Sequence, residues 1–209
     1  MTTEAGKQAF VSELLGRSDY AIIGDIVSPG ARVLDLGCGE GELLHWLAAN
    51  KNVDARGGEI AGDKVRRAIA RGVSVFQGDI DEGLTDYPDH AFDYVILSQT
   101  LQESRQPRRL LREMLRVGRR GIVAFPNFGH WRVRLSMLAS GRSPRTKLFP
   151  YEWYDSPNIH FLTVKDFESL AALEGFTVER RYFLAGHRKV ALLPNLLTEV
   201  AVFLVSAGA

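Results

Sequence analysis

Residues 33–41 read Val-Leu-Asp-Leu-Gly-Cys-Gly-Glu-Gly, an apolar strand that carries an acid and runs into three alternating glycines. No other feature restricts the fold of this chain as much. An apolar run without polar alternation belongs to a parallel strand covered on both faces. Gly37, Gly39 and Gly41 let the next turn adopt dihedrals closed to other residues and let a ligand lie against bare backbone. Asp35 stands at the carboxyl end of that strand, where open α/β sheets bind ligands beside a topological switch point. The dinucleotide fingerprint Gly-x-Gly-x-x-Gly is not met, because Glu42 fills the slot of its third glycine. Nicotinamide cofactors are therefore disfavoured.

The rest of the chain alternates strand and helix signals in the way that builds βαβ units and one doubly wound sheet. Strands are expected at 32–36, up to Glu59, at 73–77, 92–97 and 121–125, and near 177–183 and 198–205. Leu43, Leu44 and Leu47 mark one helix, Val65, Ala68 and Ile69 a second, and Leu110, Leu111, Met114 and Leu115 a third. Thr163 and Asp166 form a capping box that opens a fourth, which Gly175 closes. A single domain over residues 1–209 is expected, with a helical lead-in over 1–28 whose amphipathic part runs from Tyr20 to Val27. The one irregular stretch, 126–161, is long enough to serve as a lid or an interface.

Composition narrows the setting. A net charge of +1 offers no global attraction to nucleic acid or to an anionic membrane. The apolar tail from Val200 to Ala207 is too short to span a bilayer. The start of the chain lacks a secretory pattern, and the single cysteine excludes a disulfide framework. A cytoplasmic location is expected.

The strand ends name a ligand. Glu59, at the end of the second strand, can accept hydrogen bonds from both hydroxyls of a ribose. Asp79, after the third strand, can accept from an adenine amino group while Ile80 packs on the ring. Ser98 and Gln99, after the fourth, can border a sulfonium and its methyl group. Together with the glycine loop this pattern points to S-adenosylmethionine or S-adenosylhomocysteine. The expected cofactor set is Asp35, Gly37, Cys38, Gly39, Gly41, Glu59, Ile60, Asp79, Ile80 and Ser98. Taken singly, each polar member has a plainer reading: Glu59 as a solvated loop residue, Asp79 as a turn former, Ser98 as a cap. Cys38 is equally a small packing residue in the loop.

Four stretches carry a resemblance that extends from Asp19 onward: Val-Leu-Asp-Leu-Gly-Cys-Gly, Asp-Tyr-Val-Ile-Leu-Ser-Gln-Thr-Leu-Gln, Phe-Pro-Asn-Phe-Gly-His-Trp and Trp-Tyr-Asp-Ser-Pro-Asn-Ile-His. The first is common to class I methyltransferases, and the other three resemble signatures of the MetW family of methionine biosynthesis. The resemblance implies a Rossmann-like class I methyltransferase fold, with a mostly parallel seven-stranded sheet whose last strand is antiparallel. It also implies a functional link to homoserine O-acyltransferase. One departure is Gly58, where a larger apolar residue is expected before the acid.

Catalytic residues are less marked. Methyl transfer draws much of its rate from positioning an in-line nucleophile, so a missing base does not exclude it. His130 and His160, from the irregular stretch, are the candidates for taking a proton from a hydroxyl substrate, and Tyr154 of the same stretch is a further candidate catalytic residue, although a histidine beside a tryptophan is more often structural. No metal-ligand spacing is present, and no Asn-Pro-Pro-Tyr-like motif follows the fourth strand, so base methylation has no support. No acid separates Glu113 from Glu152, a span holding eight basic residues. It is a solvated surface balanced elsewhere, or a basic face for nucleic acid, an anionic substrate or an acidic partner; with its aromatics, partner docking is the preferred reading, and the best anchors are Trp131, Arg134, Trp153 and Tyr154. The expected function is S-adenosylmethionine binding by a protein that supports or regulates homoserine O-acyltransferase. The alternative is an active methyltransferase on a small-molecule acceptor.

Overall fold

The computed structural model describes residues 17–82 and 84–208. The part of the expected lead-in before Arg17 lies outside them. The chain enters α1 (Ser18–Ile26), which stops short of Pro29, and continues into β1 (Arg32–Leu36). Next come α2 (Glu42–Lys51), β2 (Asp54–Glu59), α3 (Gly62–Ala70), β3 (Ser74–Gln77) and β4 (Phe92–Ser98). The second half comprises α4 (Pro107–Val117), β5 (Gly118–Pro126), α5 (Trp131–Ser140), α6 (Val164–Leu173), β6 (Thr177–Ala185), β7 (Arg188–Lys189), α7 (Pro194–Leu197) and β8 (Val200–Ser206).

One sheet of eight strands has the order β3-β2-β1-β4-β5-β8-β6-β7. The pairs from β3 through β5 are parallel, and β8 runs antiparallel between β5 and β6. The sheet has one strand more than the seven expected. The extra strand, β7, is two residues hairpinned onto the end of β6, too short to leave a periodic trace.

Both faces of the sheet are buried, so the central strands read as continuous apolar runs. Tyr94 and Ile96 of β4 pack toward α1 and α2, with Ile23, Leu44 and Leu47 opposite them. Val95 and Leu97 point the other way, toward Leu110, Leu111 and Met114 of α4 and Phe167 of α6. On that side Phe203 stacks on Phe125 with centroids 5.8 Å apart and touches Phe167 at 4.6 Å. The capping box of Thr163 and Asp166 starts α6 as expected, and Pro107 sits in the first turn of α4, where its missing N–H costs no helical bond.

Two further features depart from the expected pattern. The irregular stretch at 126–161 contains the ten-residue helix α5. Only Val133 of that helix is buried, so its apolar residues never form the one-sided stripe by which a helix is recognised. The second is Gly58, where a Cβ would lie 2.5 Å from the Phe76 ring; that ring fills the space expected of a larger residue.

Phe203→Ala should cost about 3 to 5 kcal/mol in denaturant unfolding, because it opens a cavity between three phenylalanines that cannot collapse inward. A loss below ~1 kcal/mol would mean that this aromatic stack does not hold α6 to the sheet.

Candidate functional site

The chain winds from β1 outward to β3, then returns to β4 and winds outward through β5, so β1 and β4 flank the switch point. A cleft of about 570 Å³ opens at their carboxyl ends. Its floor is the glycine loop. Gly37 and Gly39 have φ of 76° and 58°. A Cβ on Gly37 would meet Thr100 Oγ1 at 2.5 Å, whereas one on Gly39 meets nothing within 4 Å, so Gly39 presents bare backbone to open space. Gly41, at the N-cap of α2, does not line the cleft; it lets α2 approach Ala68 of α3.

Glu59 fastens this loop. Its Oε2 accepts the Gly39 N–H at 3.0 Å and its Oε1 the Ala61 N–H at 2.9 Å. The Gly37 and Cys38 N–H groups donate to Gly58 O at 2.8 and 3.1 Å, which draws the loop onto β2. A carboxylate has about four lone-pair sites, so Glu59 keeps acceptor capacity for a ligand while it braces the loop.

Cys38, Ile60, Asp79, Ile80 and Ser98 also line the cleft. Burial pushes the Cys38 thiol well above its ordinary pKa, so it packs rather than reacts. Ile60 stands 61% exposed at the rim. Asp79 accepts the Asp81 N–H at 2.9 Å and lies 3.6 Å from Arg105, so it is a turn former and a cleft residue at once. The Ser98 hydroxyl donates to Asp19 at 2.6 Å and receives Arg17 Nη2 at 2.7 Å. Asp35 does not line the cleft. It is 2% exposed, with Oδ1 unpartnered among the described residues. Burial raises its pKa to about 7; Arg17 opposes the shift, and the charges of Asp19 and Glu59 add to it.

Other cleft residues fall outside the expected set: Arg17 and Tyr20 from the lead-in, Lys64 on α3, and Glu103 after β4. Arg17 grips the fully buried Asp19 through Nε and Nη2, at 3.1 and 2.9 Å, and lies 4.3 Å from the centre of the Tyr20 ring. Burial opposes the charge on this guanidinium, but the hydrogen bond and charge of Asp19 outweigh it. One clue was available, since an arginine at a helix N-cap opposes the helix dipole and needs a tertiary reason to be there. Burial raises the Glu103 pKa; Lys64 counters the shift and Glu59 adds to it.

His130, His160 and Tyr154 lie away from this cleft. His130 is 3% exposed and caps α5, its Nδ1 accepting the Arg132 N–H at 3.4 Å. It borders a separate groove of about 520 Å³, together with Trp131, Leu192 and Leu197. Its pKa is lowered, first by burial. His160 and Tyr154 are exposed.

The basic run does not form one free face. Arg116 pairs with Glu113 and Asp89, Arg119 with Asp93, Arg120 with Glu179, and Arg145 with Glu152. Arg134 bonds the Gly129 carbonyl at 2.6 Å, a structural task within the segment. Trp131, Trp153 and Tyr154 remain exposed. Among the described residues, no group of three or more His, Cys, Asp or Glu could hold a metal ion, and no helix is long and apolar enough to cross a membrane.

A glycine loop at the switch point of this sheet, with an antiparallel strand beyond β5, defines the fold of S-adenosylmethionine-dependent methyltransferases. One such enzyme from Mesorhizobium loti superposes with a TM-score of 0.68 at 16% identity, covering 92% of this chain and 99% of the other. The cyclase SpnF superposes at 0.64 and 18% identity, covering 91% and 80%, so the likeness establishes the fold alone. The sequence model of the family described as Methionine biosynthesis protein MetW matches residues 17–205, and the chain belongs to that family. The bifunctional methionine biosynthesis protein MetXA/MetW of Rhodopirellula baltica is 35% identical over 184 residues, 84% of this chain and 30% of that protein. The chain spans a third or less of the length of the curated relatives it matches.

Asp35 makes stability depend on pH. Its pKa rises from an ordinary 3.8 to about 7, so the folded state keeps a proton that the unfolded state releases. The cost is absent below the lower value, grows with rising pH between the two, and is constant above the upper one. Asp35→Asn removes this dependence. In denaturant titrations of the ligand-free protein, its stability relative to the parent should be greater at pH 8 than at pH 5 by about 2 to 3 kcal/mol. Equal differences at both pH values would show that Asp35 does not titrate between them.

Proposed function

We propose that this MetW-family protein binds S-adenosylmethionine or its demethylated product in the cleft and associates with homoserine O-acyltransferase, whose activity it supports or regulates. The fit of the cleft carries the first half. Bare backbone at Gly39, open acceptor sites on Glu59 and Asp79, and the apolar Ile60 and Ile80 match a nucleoside with a charged tail. Glu59 would hold the ribose hydroxyls, Asp79 the adenine amino group, and the two isoleucines the ring. Six acids line the cleft, Glu40, Glu42, Glu59, Asp79, Asp81 and Glu103, against Arg17, Lys64 and Arg105, which favours a cationic ligand over a neutral one. When bound, S-adenosylmethionine supplies an electrophilic methyl group on a positively charged sulfur.

The fused MetXA/MetW relative supports the second half, since two activities joined in one chain are held at high effective concentration. The exposed aromatics Trp131, Trp153 and Tyr154 supply anchors for such a partner. Gln102 supplies a link from that surface to the cleft. Its carbonyl accepts the Ile159 and His160 N–H groups, both at 3.0 Å, while its side chain donates to Gln99 O at 2.6 Å. The helix α1, in contrast, is no loose cover, because Ile22, Ile23 and Ile26 are packed in the core.

Calorimetry tests the cofactor. Glu59→Gln keeps one of the two acceptors for backbone N–H groups and loses the charge, and should weaken S-adenosylmethionine and S-adenosylhomocysteine by ~1.5 to 3 kcal/mol. No binding by the parent, or undiminished binding by the variant, would remove this reading of the cleft.

Co-purification and acyltransferase assays test the partner. Alanine at one or more of Trp131, Trp153 and Tyr154 should weaken the complex by at least ~2 kcal/mol with cofactor affinity kept. Saturating S-adenosylmethionine or S-adenosylhomocysteine should shift complex affinity by about 1 to 3 kcal/mol, with the partner shifting cofactor affinity by the same factor. Complex formation indifferent to all three alanines would place the docking surface elsewhere, and indifference to the cofactor would leave the cleft without a regulatory role.

A further inference from the structure

A second cavity, of about 320 Å³, adjoins the cleft and shares Arg17 and Gln99 with it. We propose that this cavity binds a small carboxylate with a short apolar body; the inference rests on the proposed function only for what occupies the neighbouring cleft.

The partition between the two cavities is built with strain. Gln99 is a non-glycine residue with φ of 58°, in the left-handed region, at the carboxyl end of β4. Such backbone persists where the surroundings over-determine it, and it gathers at functional sites. Here the Gln99 N–H donates to Ala124 O at 2.8 Å and its carbonyl accepts from the Gln102 side chain. With both main-chain groups engaged, the side-chain amide has no partner among the described residues and is available to a ligand as donor or acceptor. Arg17 is half committed in the same way. Nε and Nη2 serve Asp19 and Ser98, while Nη1 has no partner among the described residues.

Two further donors stand on the other walls, and neither has a partner among the described residues: Lys147, after α5, and His187, in the β6–β7 turn. The charge balance selects the ligand. Asp19 offsets Arg17. Glu199, the acid of this cavity, accepts the Gly186 N–H at 2.7 Å and lies 3.9 Å from Arg132. Lys147 is left as the uncompensated charge, which suits a monoanion better than a phosphate dianion. Pro126, Leu148 and Val200 supply apolar wall, so the ligand carries a hydrocarbon portion besides its charged end.

Butyrate, succinate and inorganic phosphate, at matched ionic strength, are the probes. They are titrated into ¹⁵N-labelled protein with and without saturating S-adenosylhomocysteine, and amide shifts are followed. Butyrate should move the amides of Gln99, Gly186 and His187 and should bind more tightly than phosphate. Lys147→Glu at an exposed site and Leu148→Trp, which fills the cavity, should each weaken butyrate at least tenfold while S-adenosylhomocysteine affinity stays within twofold. No carboxylate response, phosphate binding as tight as butyrate, or unchanged butyrate affinity in Lys147→Glu overturns the inference. Butyrate binding without S-adenosylhomocysteine binding would instead sink the reading of the cleft and leave this site standing.

Discussion

Three carboxylates, Asp19, Asp35 and Glu59, are buried together where the strands of the sheet end, and the fold around the cleft is organised by how each is satisfied. An ionised carboxylate removed from water is costly unless it is paired or hydrogen-bonded. Glu59 takes backbone N–H groups from its own turn and from the glycine loop. Asp19 takes the Arg17 guanidinium and the Ser98 hydroxyl. Asp35 is left with an open oxygen and answers by holding its proton up to about pH 7. The loop conformation and the anchoring of α1 follow from these solutions.

That arrangement separates what the fold implies from what the site implies. A sheet of this kind hosts methyltransferases and a cyclase alike, so topology does not select a reaction. Membership of the MetW family sets the biosynthetic context. Topology does not dictate the loop with open backbone, the Gln99 backbone at positive φ, or the guanidinium that lines two cavities. The histidines that stood out in the sequence lie elsewhere. His130 serves α5 as a cap, and His160 lies exposed on a segment tied to the Gln102 carbonyl.

The acid-free basic run shows how far a linear pattern can mislead. Eight cations in succession without an acid resemble a charged face. In the fold, Arg119 and Arg120 lie at the start of β5, beside Asp93 of β4 and Glu179 of β6. For these two arginines, residues on other strands of the sheet supply the counter-charges. The same run concealed α5, because its helical residues have little core to face.

The sequence by itself determined the parallel sheet, the glycine loop, the strand-end positions of Glu59 and Asp79 and the capping box of α6, because each depends on residues a few positions apart. A strand buried on both faces and a loop needing positive φ write themselves locally. Only the tertiary structure decided that Arg17 joins the cleft, since its partner Ser98 lies 81 positions away and the contact exists because α1 packs over the end of β4. The same holds for the burial of Asp35 and for the placing of Lys147 and His187 around one cavity. These juxtapositions arise from the order in which the strands assemble, and no short stretch of chain contains that order.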